Sequence, residues 1–129
     1  MQTVLEKIAS FAVHTDFDQI PADVAAVAKL GLTDFFACSL AGINAPVSKN
    51  ILNYLNIQGL KEGPCRLFGT SHSAGLKEAA LFNGVSSHCM DFDDVSWATI
   101  GHPSVSVAPS VFACAQKGKW NGKQTLLAY

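Results

Sequence analysis

The chain has 129 residues, of which 49% are hydrophobic and only 15% charged, and its formal net charge is −1. That length can bury one real core, and a charge so near zero excludes an electrostatic case for nucleic acid or an anionic membrane surface. The charged fraction is well below the roughly 25% of an average soluble domain, so some apolar surface is expected to be covered by a second domain, a second subunit or a longer chain.

The N-terminal stretch MQTVLEKIASFAVHTDFD carries acids early and lacks a basic region followed by a cleavage site, so no secretory signal is expected. No uninterrupted run of about 18 or more apolar residues is present, and no membrane span is expected. Cys38, Cys65, Cys89 and Cys114 are widely spaced without a C-x-x-C pair. Buried free thiols in a reducing compartment, and hence a cytoplasmic location, are the expectation.

Thr3 to Val13 sets Val4, Ile8, Phe11 and Ala12 at helical spacing, with Thr3 available as N-cap. His14 then reads as a solvated helix-end residue. Ile20-Pro21-Ala22-Asp23 is a second helix start, with Pro21 in the first turn and an acid near the positive end of the dipole. From there to Ala41 the chain is almost continuously apolar. A helix buried on most sides is expected, with Asp34 as either a buried polar contact or, the preferred reading, its one wet position, Gly31 suited to a close helix crossing and Gly42 as its stop. Pro46 opens a third helix to about Gln58, and Gly59 to Pro64 reads as loop. Cys65 to Phe68 is a short extended piece, Gly69-Thr-Ser a turn, and His72-Ser73-Ala74 the start of a helix running to about Cys89. Pro103 begins the next helix, to about Lys117, with Pro109 expected to kink it or shift its start. A turn at Gly118 to Gly122 leads into a last helix from Lys123. The fold class is therefore all-α, mostly helical, with at most one short extended segment.

The stretch from Asn83 to Ser104, NGVSSHCMDFDDVSWATIGHPS, concentrates the chemistry. It holds His88 and His102, and the carboxylates Asp91, Asp93 and Asp94 fall within four residues. Acids packed so tightly repel one another unless water, a cation, a histidinium or a hydrogen-bond network offsets the charge. Such a cluster among apolar helices is a candidate active site. His88 and Asp91 are spaced i, i+3, so a helix persisting that far would place both on one face. His102, directly before Pro103, can be aimed back at the acids from the start of the next helix, whose positive end favours a nearby anion. Three readings stay open on the residues alone. The first is acid–base catalysis on an anionic substrate, with Asp91 and His102 as proton carriers. The second is a divalent-metal site using His88, Asp91 and Asp93. The third is an acidic loop that caps the helix at Pro103 and neighbouring backbone amides.

The combination of NGVSSHCMDFDD, GHPS and the ending Trp120-Asn-Gly with Leu126-Leu127-Ala128-Tyr129 resembles the MmgE/PrpD family, which includes 2-methylcitrate dehydratase, cis-aconitate decarboxylase and iminodisuccinate epimerase. LTDFFACSLAG, CRLFGT and ALFNG fall in the family's order too, so the resemblance spans nearly the whole chain. It implies a large helical domain joined to a smaller α/β domain, usually in a dimer, with the site between the domains. The implied chemistry is the lyase or isomerase chemistry of carboxylic-acid (including propionate) metabolism: proton removal or transfer beside a carboxylate of a small di- or tricarboxylic acid, with loss of water or CO2, or epimerisation. No metal and no organic cofactor is implied. By motif, Asp91 and His102 match catalytic residues, and His88, Asp94, Ser96 and Ser104 are the substrate-binding positions the resemblance implies. Many relatives carry Thr directly after DFDD, where this chain has Val95 followed by Ser96, and the loop to His102 is one residue longer than in close decarboxylases. These departures point away from decarboxylation of cis-aconitate and leave the substrate open within the family's chemistry, for which 2-methylcitrate dehydratase is the type.

Members of the family are much longer, and their remaining active-site Lys and His residues come from later sequence. The expectation is that residues 1–129 form the N-terminal portion of the helical domain without the α/β lid, inactive alone. A homo-oligomer or association with a longer chain is expected, with neither nucleic acid nor membrane as partner. The rival from another class is a non-catalytic helical association module.

Overall fold

The computed structural model describes residues 2–129. Among these, six α-helices and one two-stranded sheet form the fold: α1 (Val4–His14), α2 (Ala22–Gly42), α3 (Pro46–Ile57), β1 (Cys65–Arg66), β2 (Ser73–Ala74), α4 (Leu76–His88), α5 (Pro103–Gly118) and α6 (Gly122–Ala128). A single 3-10 turn, Phe17–Gln19, links the first two helices. The all-α expectation holds. Helix boundaries fall within a residue or two of those the caps predict, because Thr3, Pro46, Pro103 and Asn121 each supply a start signal that local backbone chemistry obeys.

The centre is a stack of α2, α4 and α5, with α3 packed on the outer side of α4. One core cluster gathers Leu55, Cys65, Leu67, Ala74, Ala79, Phe82 and Ala113. Beside it Phe35, Phe36, Phe68 and Phe112 pack ring on ring, with Phe36 and Phe112 centroids 4.7 Å apart. Small residues let the helices approach. Gly31 stands where a Cβ would lie 2.6 Å from the Tyr129 hydroxyl, so the close crossing read from the sequence is present, between α2 and the end of α6. Pro109 stays inside a continuous α5, buried against Gly84 of α4, and the helix start at Pro103 is not displaced.

Three expectations need correction. The α2 helix is not buried on most sides: only Phe35, Cys38, Ser39 and Gly42 are, while Val24, Val27, Leu30 and Leu40 face out. By length and composition this helix, with a mean hydropathy of 1.5, is long and apolar enough to cross a membrane, although no uninterrupted apolar run marks it. Its C-terminal half is nevertheless a core element of the fold. The second correction concerns Ser73 and Ala74. They pair antiparallel with Arg66 and Cys65 instead of opening a helix, and α4 begins at Leu76. A two-residue strand carries no periodicity of its own; its partner strand decides it. Third, Asp34 is not simply wet, since it accepts the backbone N–H of Asp94 at 3.0 Å.

α1 contributes no buried residue, and its Val4, Leu5, Ile8, Phe11 and Val13 are exposed. Its order therefore rests on local bonds. Thr3 and Glu6 form a capping box, in which the Glu6 carboxylate accepts the Thr3 N–H at 2.8 Å and the Thr3 hydroxyl accepts the Glu6 N–H at 3.2 Å. The backbone N–H and hydroxyl of Thr3 hold the Glu6 carboxyl below its ordinary value. A depressed carboxylate contributes order above its ordinary titration range and loses it as pH falls through the depressed value. Acidification, or Thr3→Ala at neutral pH, should thus fray α1 before the rest of the chain unfolds. Far-ultraviolet circular dichroism checks this; a helical signal unchanged by the substitution would show that α1 does not depend on its cap.

Candidate active site

The site forms where α4 ends, a loop turns back, and α5 begins. α4 stops at His88, and the chain turns at once with Asp91 in the left-handed region at φ 54°. The helix thus ends at the expected place, with His88 in its last turn, and does not persist far enough to carry Asp91 on the same face. Asp tolerates that backbone region better than most residues. The turn sends Asp93 under the end of α4, where its side chain is only 2% exposed. Beyond it, Ser96 pairs with Gly101 through the backbone, with N–H to O of 2.9 Å in one direction. This bridge closes the loop carrying Trp97 and Ile100, 90% and 88% exposed, and brings His102 back as the residue preceding α5.

The result is one compact group. His88 Nδ1 lies 2.9 and 3.1 Å from the two Asp93 carboxylate oxygens. His102 Nδ1 lies 3.2 Å from the Asp93 carbonyl oxygen and 3.3 Å from its carboxylate. The far nitrogen of the same ring, Nε2, faces Asp91 Oδ1 at 3.5 Å. The two imidazoles meet edge to face with centroids 4.6 Å apart. Asp93 is thus a buried carboxylate shared by two histidines, while Asp91 is 78% exposed and sits at the open side.

The tautomer follows from the partners. With Nδ1 donating to Asp93, a neutral His102 ring has only a lone pair on Nε2, and that lone pair faces a carboxylate. Two acceptors attract only when a proton or a cation lies between them. A proton on that nitrogen would turn the 3.5 Å approach of Asp91 and His102 into a donor–acceptor contact.

Asp94, expected to bind substrate with Ser104, turns the other way. Its carboxylate accepts the Ser104 N–H at 3.2 Å and the Ser104 hydroxyl at 2.5 Å, and that hydroxyl also contacts the Tyr129 hydroxyl. Ser104 is buried in the first turn of α5. Asp94 thereby satisfies an N–H that the start of a helix leaves unpaired, in place of the side-chain cap that His102 does not give. The capping reading describes Asp94, and the same geometry closes Ser104 off from solvent. Ser96 lines a groove of about 810 Å³ with Asp34, Asp94, Val107 and Tyr129, apart from the histidines. Another groove, of about 580 Å³ and mostly apolar, runs along Val85, Val105 and Pro109 up to His88. Neither contains Asp91 or His102. Asp34 and Tyr129 were not singled out for the site. A lone acid in an apolar helix was a legible signal for Asp34; Tyr129 carried none.

Cys38 lies beneath the acids, its thiol 3.8 Å from Asp34. Burial pushes the thiol up to about 11, helped by the charges of Asp34, Asp93 and Asp94. All four cysteines are free; Cys38 and Cys65 are buried, Cys89 partly so, and Cys114 is exposed, contrary to a uniformly buried set. Iodoacetamide at mildly alkaline pH should label Cys114 and leave Cys38 unmodified in the folded chain, as read by mass spectrometry. Equal labelling of the two would contradict the acid-lined burial of Cys38.

A mostly helical domain with a histidine–carboxylate cluster at an interhelical corner is the class that fold and site define. The chain belongs to the MmgE/PrpD family: the family model described as the MmgE/PrpD N-terminal domain matches residues 6–129. Among curated proteins it is 29% identical over 113 residues to the cis-aconitate decarboxylase-like protein oryM of Aspergillus oryzae, covering 88% of this chain and 23% of that protein. It is 28% identical over 120 residues to the cis-aconitate decarboxylase of Aspergillus terreus, covering 93% of this chain and 24% of that protein. The chain thus spans about a quarter of the length of the curated relatives it matches.

Proposed function

We propose that the chain supplies one wall of a proton-transfer pocket for small di- or tricarboxylic acids, with Asp91 and His102 exchanging the proton and Asp93 fixing the His102 ring. The carrying observation is the 3.5 Å approach of His102 Nε2 to Asp91 Oδ1, with the opposite ring nitrogen tied to Asp93. A proton carrier works best when one ring nitrogen is anchored and the other faces its proton partner at the open side of the site. Dehydration, decarboxylation and epimerisation beside a carboxylate share this proton step. The names of the relatives add support for a polycarboxylate substrate, and the 2-methylcitrate dehydratase-like reading is kept beside theirs.

The cluster carries two acids, Asp91 and Asp93, and no Lys or Arg in contact with it among the described residues. A polycarboxylate therefore needs cations from another wall. In our reading that wall is a further α/β domain or a second copy, seated against the exposed Trp97 and Ile100 beside the site. On this reading the chain alone gives no turnover.

Two measurements test the proposal. Citrate, 2-methylcitrate and cis-aconitate are titrated into the chain while the ring resonances of His88 and His102 are followed by NMR. Both rings should move at millimolar acid, and silence of both rings with all three acids would sink the pocket assignment. Alkene formation or loss is followed by ultraviolet absorbance on the same samples. None is expected; turnover that disappears in Asp91→Asn would keep the chemistry but remove the need for a second wall.

A further inference from the structure

We propose that His88, Asp91, Asp93 and His102 together form a binding site for a divalent transition ion of the zinc class, and that filling it blocks proton transfer. One ligand atom from each of the four residues lies within 4.8 Å of every other. His88 Nδ1 to Asp93 Oδ1 is 2.9 Å, and His102 Nδ1 to the same oxygen is 3.3 Å. Zinc–nitrogen and zinc–oxygen bonds of about 2.0–2.2 Å give a tetrahedral edge of roughly 3.3 Å, so three of the ligand atoms already stand near the spacing an ion requires. Asp91, exposed at the open side, brings a carboxylate oxygen within 4.8 Å of the other three ligand atoms and can close on the ion as the fourth.

The donor set selects the ion. Two imidazole nitrogens and two carboxylates suit zinc, cobalt, nickel or copper, whereas magnesium and calcium prefer all-oxygen shells with more ligands. Selection within the acids is equally clear. Asp34 and Asp94 are adjacent in space but accept N–H and O–H donors, so they stay outside the set. Two carboxylates and two neutral imidazoles carry a charge of −2 that one divalent ion neutralises. Both Nδ1 atoms face Asp93 in the metal-free arrangement, so binding through them moves each neutral ring's proton to Nε2 and turns the Nδ1 lone pair to the ion. The groups that would exchange a substrate proton are then bonded to metal.

Metal binding stands apart from the carboxylate reading, while the block on proton transfer rests on it, and the two are tested on different samples: the titrations with acids use metal-free chain in chelator. Here Zn2+ is titrated by calorimetry in buffers of different ionisation enthalpy, and Co2+ by visible absorption. Stoichiometric binding, an enthalpy that does not change with the buffer, and the intense visible bands of four-coordinate Co2+ are expected. Asp91→Asn should weaken Zn2+ by roughly tenfold or more, since even outer-shell partners of a metal are worth 10–100-fold. Asp91 is solvent-facing, so this variant tests the site without endangering the fold. His102→Gln should weaken it at least as much, with circular dichroism confirming that it folds. A His14→Gln, His72→Gln, Cys114→Ser variant should bind as the wild type does. Absence of stoichiometric binding overturns the proposal. So does binding that survives Asp91→Asn and His102→Gln, or that follows the triple variant.

Discussion

Gly42→Ala should destabilise the chain by about 3 kcal/mol, the upper part of the overpacking range, and lower Tm by about 10 °C. A Cβ at Gly42 would lie 2.0 Å from the Ser86 carbonyl oxygen and 2.5 Å from Cys89 Sγ. The first of these is backbone of α4, so no rotamer change relieves it. The two helices must separate, and their junction is dense with bonds: the Gly42 carbonyl accepts the Ser48 hydroxyl at 2.8 Å and the Ala45 N–H at 3.0 Å. The clash also lies within one turn of His88. Displacing the end of α4 carries that ring away from Asp93, so the ring resonance of His88 should move along with the melting temperature. Thermal unfolding followed by circular dichroism gives the first readout and NMR the second. A variant that melts like the wild type would mean that α2 and α4 are not in contact at Gly42.

The helices were legible because their signals are local. A capping box at Thr3, prolines at the first turns of α3 and α5, and Asn121 ahead of α6 each act within four residues. What the sequence could not carry was tertiary choice. The apolar α2 reads as buried all round, yet which of its faces finds a partner depends on where α4 and α5 cross it. The meeting of Asp91 with His102 was legible, since a histidine before proline at the start of a helix has few directions to point. The division of labour inside the acidic triplet was not. Asp91, Asp93 and Asp94 alternate around a turn whose left-handed residue, Asp91, sends successive side chains to solvent, to the histidines and to α5. Reading that split requires the backbone angle, and no glycine marks it.

Asp93→Ala should do more to the site than any change to the two histidines, because one buried carboxylate orients both rings. With Asp93 gone, His88 loses both of its contacts at 2.9 and 3.1 Å, and His102 keeps only the backbone carbonyl at 3.2 Å and the exposed Asp91 at 3.5 Å. Hydrogen bonds to a charged group contribute about 1.5–3 kcal/mol each when sheltered; with His88 45% exposed, a total loss of about 2 kcal/mol is expected. The effect on organisation is larger than that on stability. Both rings should gain rotameric freedom, seen as averaging of their NMR signals, and Zn2+ binding should fall below detection. A third consequence is separate from the histidines. Asp93 is one of the charges that push the Cys38 thiol up, so its removal should bring that thiol down and speed its alkylation in alkaline buffer. Asp93→Asn separates charge from shape: the amide oxygen still accepts from His88, so ring order should partly survive while the Cys38 change persists. If Asp93→Ala leaves ring signals, melting and thiol reactivity as they were, the carboxylate is not the hinge on which this site is assembled.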